Sequence, residues 1–260
     1  MPALDDKLHL RMYGKGKRRR RFRERVRGAI RLFYGEHQPN LEKMYGLEWG
    51  NPAEPRRLPA RLGNAFRVLI ARDPIYGMEW GDPDRQESLR FVRDRFLLPY
   101  LTPDTTAVEI GAGGGRWTRY MLGVKRLYAV DYYQELLDEL LTNFPSDVIV
   151  PVKNNGDDFP GIPGASIDFI FSFGTFVHLD IPIIDAYLRN IKPLLKPTSN
   201  VFIQYSDKRK PAAKRNKGFS DNDPERMREL VSSHGYRIYE EETKRLHHSS
   251  MIRFGIGEEG

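Results

Sequence analysis

The chain of 260 residues contains no cysteine. This absence excludes disulfide bonds, thiolate metal sites and cysteine nucleophiles. No apolar run approaches the length of a membrane span, since the stretch RVLIA at 67–71 is far too short. The basic N-terminal stretch is not followed by a continuous apolar segment, so the sequence does not indicate a secretory signal peptide. We therefore expect a soluble protein of the cytoplasm.

Positive charge is concentrated in the first 35 residues. They hold 12 Lys or Arg against 3 Asp or Glu, so the net charge of +7 comes from this segment alone. Residues 15–35 combine apolar side chains at helical spacing with arginines on the opposite face, which predicts a basic amphipathic helix. Three uses stay open: packing on the rest of the protein, lying on an anionic membrane surface at the inner face, or holding a polyanion.

The rest of the chain alternates short apolar stretches with helical patterns. Strands are predicted at 106–110, 126–130, 148–152, 168–173 and 200–205, with helices at 116–123, 133–144, 180–195 and 222–234 between and after them. This alternation is typical of an α/β fold with a doubly wound, Rossmann-like parallel sheet. Residues 237–242 and 249–256 form a closing pair whose last strand we expect to be antiparallel. We predict a basic, Pro/Gly-rich and mainly helical extension at 1–75 and an α/β domain at 76–260.

A glycine-rich loop, VEIGAGGGRW at 108–117, follows the first predicted strand. Its alternating glycines allow a sharp turn and let a ligand approach the backbone closely. The loop lacks the third glycine of a dinucleotide-binding fingerprint and the Lys-Ser/Thr pair of a P-loop. Glu109 lies just before the glycines, and Asp131 ends the second strand. A carboxylate at that second position can accept both hydroxyl groups of a ribose.

The stretch EIGAGGG followed by YAVD resembles the class I S-adenosylmethionine-dependent methyltransferases, with the likeness extending over residues 78–256. The resemblance implies a seven-stranded sheet with its last strand antiparallel. It also implies that the glycine loop and Glu109 hold the methionine end of the cofactor, Asp131 the ribose, and Tyr132 and Asn155 the adenine, with Asp157 as an alternative to Asn155. The predicted cofactor contacts in full are Glu109, Gly111, Ala112, Gly113, Asp131, Tyr132, Asn155, Gly156, Asp157 and Phe173.

His178 follows the fourth predicted strand, within SFGTFVHL at 172–179. The carboxyl ends of parallel strands face the ligand in a doubly wound fold, so we expect this ring near the reacting methyl group. Methyl transfer to a hydroxyl group needs in-line placement and a base, and histidine serves most often as the base. His178 is therefore the candidate catalytic residue. The alternative is a structural role, with the ring packed beneath the cofactor.

Four more polar residues are expected at the same edge of the sheet. Tyr205 and Asp207 end the fifth strand, whereas His247 and His248 begin the last strand, which starts where its parallel neighbours end. We predict that these residues contact the acceptor. Asp207 and a histidine also offer two ligands to a divalent ion such as Mg²⁺, although no metal site is assigned.

The acceptor is indicated by missing motifs and by a second resemblance. No Asn/Asp-Pro-Pro-Tyr follows the fourth strand, which argues against methylation of exocyclic nucleobase amines, and the absence of cysteine excludes thiolate-dependent methylation of pyrimidine carbon 5. The stretches EWGDP, SFGTFVHL, YSDK and HHS resemble bacterial methyltransferases of sugar and cell-surface glycan pathways. This resemblance implies O-methylation of a sugar hydroxyl group.

Two nearly identical octapeptides occur in the chain, YGLEWGNP at 45–52 and YGMEWGDP at 76–83. Trp80, in the second copy, lies just ahead of the domain's first helix, where relatives cover the cofactor. We expect Trp80 to stack on a sugar acceptor or to close the pocket, and the alternative is a turn in which its ring is packed. For Trp49, in the first copy, a packed turn is the favoured interpretation.

Two other functions stay open. An RNA methyltransferase would use the arginine-rich segment to hold nucleic acid, and its binding would weaken steeply with salt. A non-catalytic relative would instead bind a partner protein through the same segment.

Overall fold

The computed structural model describes residues 75–257, together with 26–27, 29–31, 33–34, 58, 61–63 and 65–66. The chain divides into two units, Met1–Asp82 and Pro83–Gly260. In the first unit, the described residues between 26 and 33 are helical, which matches part of the predicted amphipathic helix. The arginine cluster at 18–25, the first octapeptide and Trp49 lie outside the described residues.

The second unit is built around a seven-stranded sheet with the strand order β3-β2-β1-β4-β5-β7-β6. The strands are β1 (Thr106–Ile110), β2 (Arg126–Asp131), β3 (Ile149–Lys153), β4 (Ile167–Ser172), β5 (Leu195–Ser206), β6 (Arg237–Glu242) and β7 (Ser249–Gly255). Strand β7 pairs antiparallel with β5 and with β6, whereas the pairs among β1 to β5 are parallel. The predicted seven-stranded Rossmann-like sheet with an antiparallel last strand is therefore confirmed.

The helices alternate with the strands along the chain. They are α1 (Glu87–Val92), α2 (Gln134–Asn143), α3 (Ile181–Ile191), α4 (Pro211–Arg215) and α5 (Pro224–Ser233). A π-helical turn (Arg93–Leu97) continues α1, and short 3₁₀ turns include Thr118–Tyr120 and Phe176–His178. None of the helices in the described part of the chain has the length and apolar character that a membrane crossing requires.

The central strands are apolar because both faces of the sheet are covered. Successive side chains point to opposite faces, so Val108 and Ile110 of β1 join one buried cluster while Ala107 joins the other. Strand β5 follows the same rule: Val201, Ile203 and Tyr205 belong to the first cluster and Phe202 to the second. Polar side chains that act on a ligand must therefore come from the ends of the strands.

The predicted helix at 116–123 is wrong, since only the 3₁₀ turn Thr118–Tyr120 forms there. Trp117 is buried against Phe171 and Phe173, with ring centroids 5.3 Å and 4.8 Å away. The Thr118 hydroxyl donates to Glu109. These tertiary contacts fix the chain before a second helical turn can begin, and they override the local pattern.

Candidate active site at the carboxyl edge of the sheet

The glycine loop begins with Gly111, whose backbone has a φ of 76°. Its N–H donates to the Val130 carbonyl at 2.8 Å, which fastens the loop to the end of β2. A methyl group added at Gly111 would lie 1.8 Å from the hydroxyl oxygen of Thr175 and 2.9 Å from its Cβ. Glycine is therefore required here by the close approach of the turn after β4, as well as by the left-handed backbone.

Asp131 joins the ends of β1 and β2. One carboxylate oxygen accepts the N–H of Gly113 at 2.9 Å, and the other accepts the N–H of Tyr133 at 3.0 Å. Burial raises the pKa of this carboxyl, and the two amides oppose that shift because they stabilise its charged form. The Tyr132 amide also stabilises this charged form. A carboxylate has about four acceptor positions, so the group can still accept a hydroxyl proton of a ribose.

Glu109 is a buried acid one strand away from Asp131, with 2% of its surface exposed. It accepts a hydrogen bond of 2.5 Å from the Thr118 hydroxyl. Burial raises the pKa of Glu109 to about 8, the Thr118 bond and Arg116 lower it, and the neighbouring Asp131 charge raises it. A buried carboxyl with this pKa would gain from a cation placed beside it, which fits the ammonium group of the implied cofactor.

Tyr132 and Asn155 are exposed at the ends of β2 and β3. Tyr132 lies edge-on to Tyr133, with ring centroids 5.1 Å apart, and the Lys153 ammonium is 5.5 Å from its centroid. The side-chain amide of Asn155 donates to Asp158 at 3.1 Å. Its carbonyl oxygen is therefore the part of Asn155 that can accept from an adenine amino group.

The remaining predicted cofactor residues surround these two. Gly156 has a φ of 122°, and the backbone carbonyl of Asp157 accepts from the Asn190 side chain at 3.0 Å. Ala112 is buried, with 5% of its surface exposed. Phe173 packs on Trp117, with ring centroids 4.8 Å apart. Ala112 and Phe173 thus take part in the packing that supports the loop.

His178 is exposed at the end of the 3₁₀ turn that follows β4. Its Nδ1 lies 2.7 Å from the backbone carbonyl of Gly218. A carbonyl oxygen only accepts, so Nδ1 carries the proton, and Nε2 of the neutral ring has the basic lone pair.

A row of three rings connects His178 to His248. The Phe219 ring lies between them, with centroids 5.2 Å from His178 and 4.7 Å from His248. Burial lowers the pKa of His248, and the nearby His247, His178 and Lys210 lower it further. His247 is exposed. The structure thus brings the predicted histidines of two separate loops together at one edge of the sheet.

Tyr205 and Asp207 are fully buried rather than open to an acceptor. Tyr205 lies in the core cluster, and burial raises its pKa well above the usual range. The Asp207 carboxylate accepts from Arg209 at 3.0 Å and from the Ser250 hydroxyl at 2.8 Å. Both oxygens of Asp207 are therefore used within the fold. Among the described residues there is no group of three or more His, Asp or Glu side chains placed to hold a metal ion.

Trp80 belongs to the first unit and forms part of the 3₁₀ turn Met78–Trp80. Its side chain is 53% exposed and packs edge-to-face with Tyr76, with ring centroids 5.1 Å apart. Its contact with an acceptor stays a prediction.

The structure adds residues that the sequence did not single out. The Gln204 side chain accepts the N–H of Gly174 and donates to the Ser249 hydroxyl, both at 2.7 Å. It therefore ties the loop after β4 to the start of β7. A glutamine inside the apolar stretch NVFIQY was the available signal. Gly218 and Phe219, which contact His178, follow a polar stretch in which no sequence pattern indicated this role.

A surface cavity of about 270 Å³ lies elsewhere, at the opposite edge of the sheet. Its lining includes Thr198, Asn200, Arg237, Tyr239 and Arg253. These residues stand at the start of β5, the start of β6 and the end of β7, whereas the glycine loop and the histidines stand at the other ends of the strands. We therefore assign no cofactor contact to this cavity.

Replacing Gly111 with alanine should lower the free energy of unfolding by about 3 kcal/mol or more, because the methyl group meets Thr175 and the backbone has a positive φ. Urea denaturation would measure the loss. Gly123→Ala is the matched control, since a methyl group there meets nothing within 4 Å. Equal stability of the two variants would contradict the packing role of Gly111.

Affinity for S-adenosylmethionine should rise between pH 6 and pH 8, by up to about tenfold per unit. Because burial holds the pKa of Glu109 at about 8, the carboxyl is protonated below that pH and must release a proton when the cofactor's cation binds. Calorimetry in two buffers of different ionisation enthalpy would detect the released proton. Glu109→Gln should abolish both the release and the pH dependence. Affinity that is independent of pH in the unaltered protein would overturn this assignment.

The sequence and the fold were compared with those of known proteins. Residues 108–203 match the family model described as a methyltransferase domain. No curated protein matches the sequence. Three solved structures show the extent of the structural likeness, each at 16% identity or less, so the likeness concerns the fold.

The first is a methyltransferase in a complex with the Haloferax volcanii Trm112 methyltransferase activator, with a TM-score of 0.56 and 16% identity, covering 70% of this chain and 95% of that one. An S-adenosylmethionine-dependent methyltransferase from Mesorhizobium loti has a TM-score of 0.56 at 14% identity, covering 66% and 98%. The CcbJ methyltransferase from Streptomyces caelestis has a TM-score of 0.51 at 16% identity, covering 66% and 94%. Residues 108–203 thus match a methyltransferase domain, and the second unit has the fold that is found in S-adenosylmethionine-dependent methyltransferases of known structure.

Proposed function

We propose that this protein O-methylates a hydroxyl group of a sugar or glycan, with His178 as the general base. The observation that carries the proposal is the 2.7 Å hydrogen bond between His178 Nδ1 and the Gly218 carbonyl. It fixes the tautomer whose Nε2 can take a proton, at the strand end where the ligand crevice of this fold lies.

Each residue of the proposed site has its own role. When bound, S-adenosylmethionine supplies an electrophilic methyl group. Glu109 binds the positively charged ammonium group of the cofactor, and Asp131 accepts hydrogen bonds from its ribose hydroxyl groups. His178 takes the proton of the acceptor hydroxyl at Nε2, which makes the oxygen more nucleophilic. The Gly218 carbonyl then stabilises the protonated ring through its bond to Nδ1.

A sugar acceptor is supported by the resemblance of four stretches and by an exposed tryptophan. Trp80 is half exposed and is braced by Tyr76. Rigid, exposed aromatic rings present an apolar face together with a polar tip, and this combination suits the faces of a sugar ring. We therefore retain the exposed His247 as a proposed acceptor contact, and the stacking of Trp80 on a sugar stays a prediction from the sequence.

His178→Ala should lower kcat by about 10²–10³-fold while leaving the affinity for S-adenosylmethionine unchanged, because only the proton acceptor is lost. Release of S-adenosylhomocysteine with a panel of sugar acceptors would measure turnover. His234→Ala serves as the control, since His234 follows the end of α5 and its ring bonds Asp185 of α3. If His178→Ala turns over as fast as the unaltered protein, the base is another group.

RNA methylation is the second candidate, and the 12 Lys or Arg among the first 35 residues favour it. We expect the variant with glutamine at Arg18, Arg19, Arg20 and Arg21 to keep full turnover on sugar acceptors. Filter binding of a single-stranded RNA at increasing salt would provide the complementary measurement. An RNA that is methylated by the unaltered protein and no longer bound by the variant would establish the second function.

A further inference from the structure

The segment between β5 and α5, residues 207–223, forms a wall beside the candidate base. The N–H of Lys208 donates to the Asn222 carbonyl at 2.8 Å, which joins the two ends of the segment. The N–H of Ser220 donates to the Val177 carbonyl at 2.8 Å. This β5–α5 segment is therefore fastened both to itself and to the turn that carries His178.

Two adjacent residues of the segment contact the histidines directly. Gly218 accepts the hydrogen bond from His178, and Phe219 packs between His178 and His248. Lys217 is the next residue back along the chain, and consecutive Cα atoms are only about 3.8 Å apart. The backbone of Lys217 is therefore close to the proposed base.

The β5–α5 segment has an unusual charge. Residues 208–217 contain six Lys or Arg and no acid. Beyond residue 35 the rest of the chain has slightly more acids than bases, so this excess is local. Half of the six cations have internal partners, and the other half decide what the segment can bind.

The first three cations hold the segment together. Lys208 donates to the carbonyls of Ala213 and Asn216, at 3.0 Å and 3.1 Å. Lys210 donates to the carbonyls of Leu246 and Ser249, at 2.8 Å and 2.6 Å, which fastens the segment to the β6–β7 loop. Arg209 is paired with Asp207 and with Glu225. These three side chains explain how the segment keeps its shape.

The other three cations, Lys214, Arg215 and Lys217, are exposed. None of them forms an ion pair with a residue in the described part of the chain. The acids that follow in the segment, Asp221 and Asp223, are paired with Arg226. The positive charge beside the histidines is therefore not neutralised by these neighbours.

We infer that the acceptor is an anionic sugar, whose phosphate or carboxylate group binds Lys214, Arg215 and Lys217 while its hydroxyl group reaches His178. The inference rests on the proposed function, because it names the class of acceptor for that same site. Exposed cations next to a site attract anions and orient them, and phosphate suits both the ammonium and the guanidinium groups. A neutral sugar would leave all three cations without a role in recognition.

The test measures the binding of inorganic pyrophosphate, and separately of malonate, to the full-length protein saturated with S-adenosylhomocysteine. Calorimetry at low salt should show saturable binding of pyrophosphate if the acceptor carries a phosphate group, or of malonate if it carries a carboxylate group. Lys214→Glu/Lys217→Glu should weaken that binding about tenfold, and added salt should weaken it in the unaltered protein. Lys125→Glu/Arg126→Glu changes the net charge equally on exposed residues at the start of β2 and should bind like the unaltered protein.

Histidine ring signals in NMR spectra locate the bound anion. Binding should shift the signals of His178 and His248, identified by their loss in the alanine variants. No saturable binding of either anion, equal weakening in both charge variants, or binding without these shifts would each overturn the inference. A short single-stranded RNA that is methylated and bound through Lys214 and Lys217 would replace it with a nucleic-acid acceptor. Pyrophosphate binding needs no turnover, so its failure is distinct from a failure of the His178→Ala prediction.

Discussion

The hydrogen bonds to Asp131 are the interaction on which the cofactor end of the site depends. Its carboxylate accepts the N–H of Gly113 from the loop after β1 and the N–H of Tyr133 from the turn after β2. Both turns are therefore held by one side chain, which fixes where the loop backbone lies. The same arrangement places a second acid, Glu109, within the electrostatic influence of Asp131. The Asp131 charge contributes to the raised pKa of Glu109, so the two acids at this edge affect each other's protonation.

The turn that carries His178 depends on a different set of contacts, which hold the end of β4 and the loop after it. The Ser172 hydroxyl donates to the Ile110 carbonyl, Gln204 accepts from Gly174, and Thr175 packs against Gly111. These contacts join the ends of β1, β4 and β5. Rigid strands therefore determine the position of His178, although the residue itself stands in an exposed turn.

The sheet could be predicted from the sequence because its central strands are apolar runs bounded by turns. The positions of Glu109 and Asp131 also followed from the sequence, since Asp131 ends β2 and Glu109 is the last residue but one of β1. Tyr205 shows where such reasoning stops. Alternation along β5 places its side chain on the face that forms the core, but a sequence does not show how deeply a strand end is covered.

The contacts around His178 could not be predicted for a further reason. Gly218 lies 40 positions away along the chain, and the bond uses its backbone carbonyl, which every residue possesses. The missing helix after the glycine loop has a comparable cause, because Trp117 is held by rings from β4 and the residue after it. Local patterns determine which elements form, whereas these details depend on partners that are distant in sequence.

The β5–α5 segment contributes both the carbonyl that orients His178 and the exposed cations beside it. Exchanging this segment for that of a relative would thus alter the tautomer and the orientation of the His178 ring together with the charge of the surface. Under the proposed function, such an exchange would change the choice of acceptor and the proton transfer together.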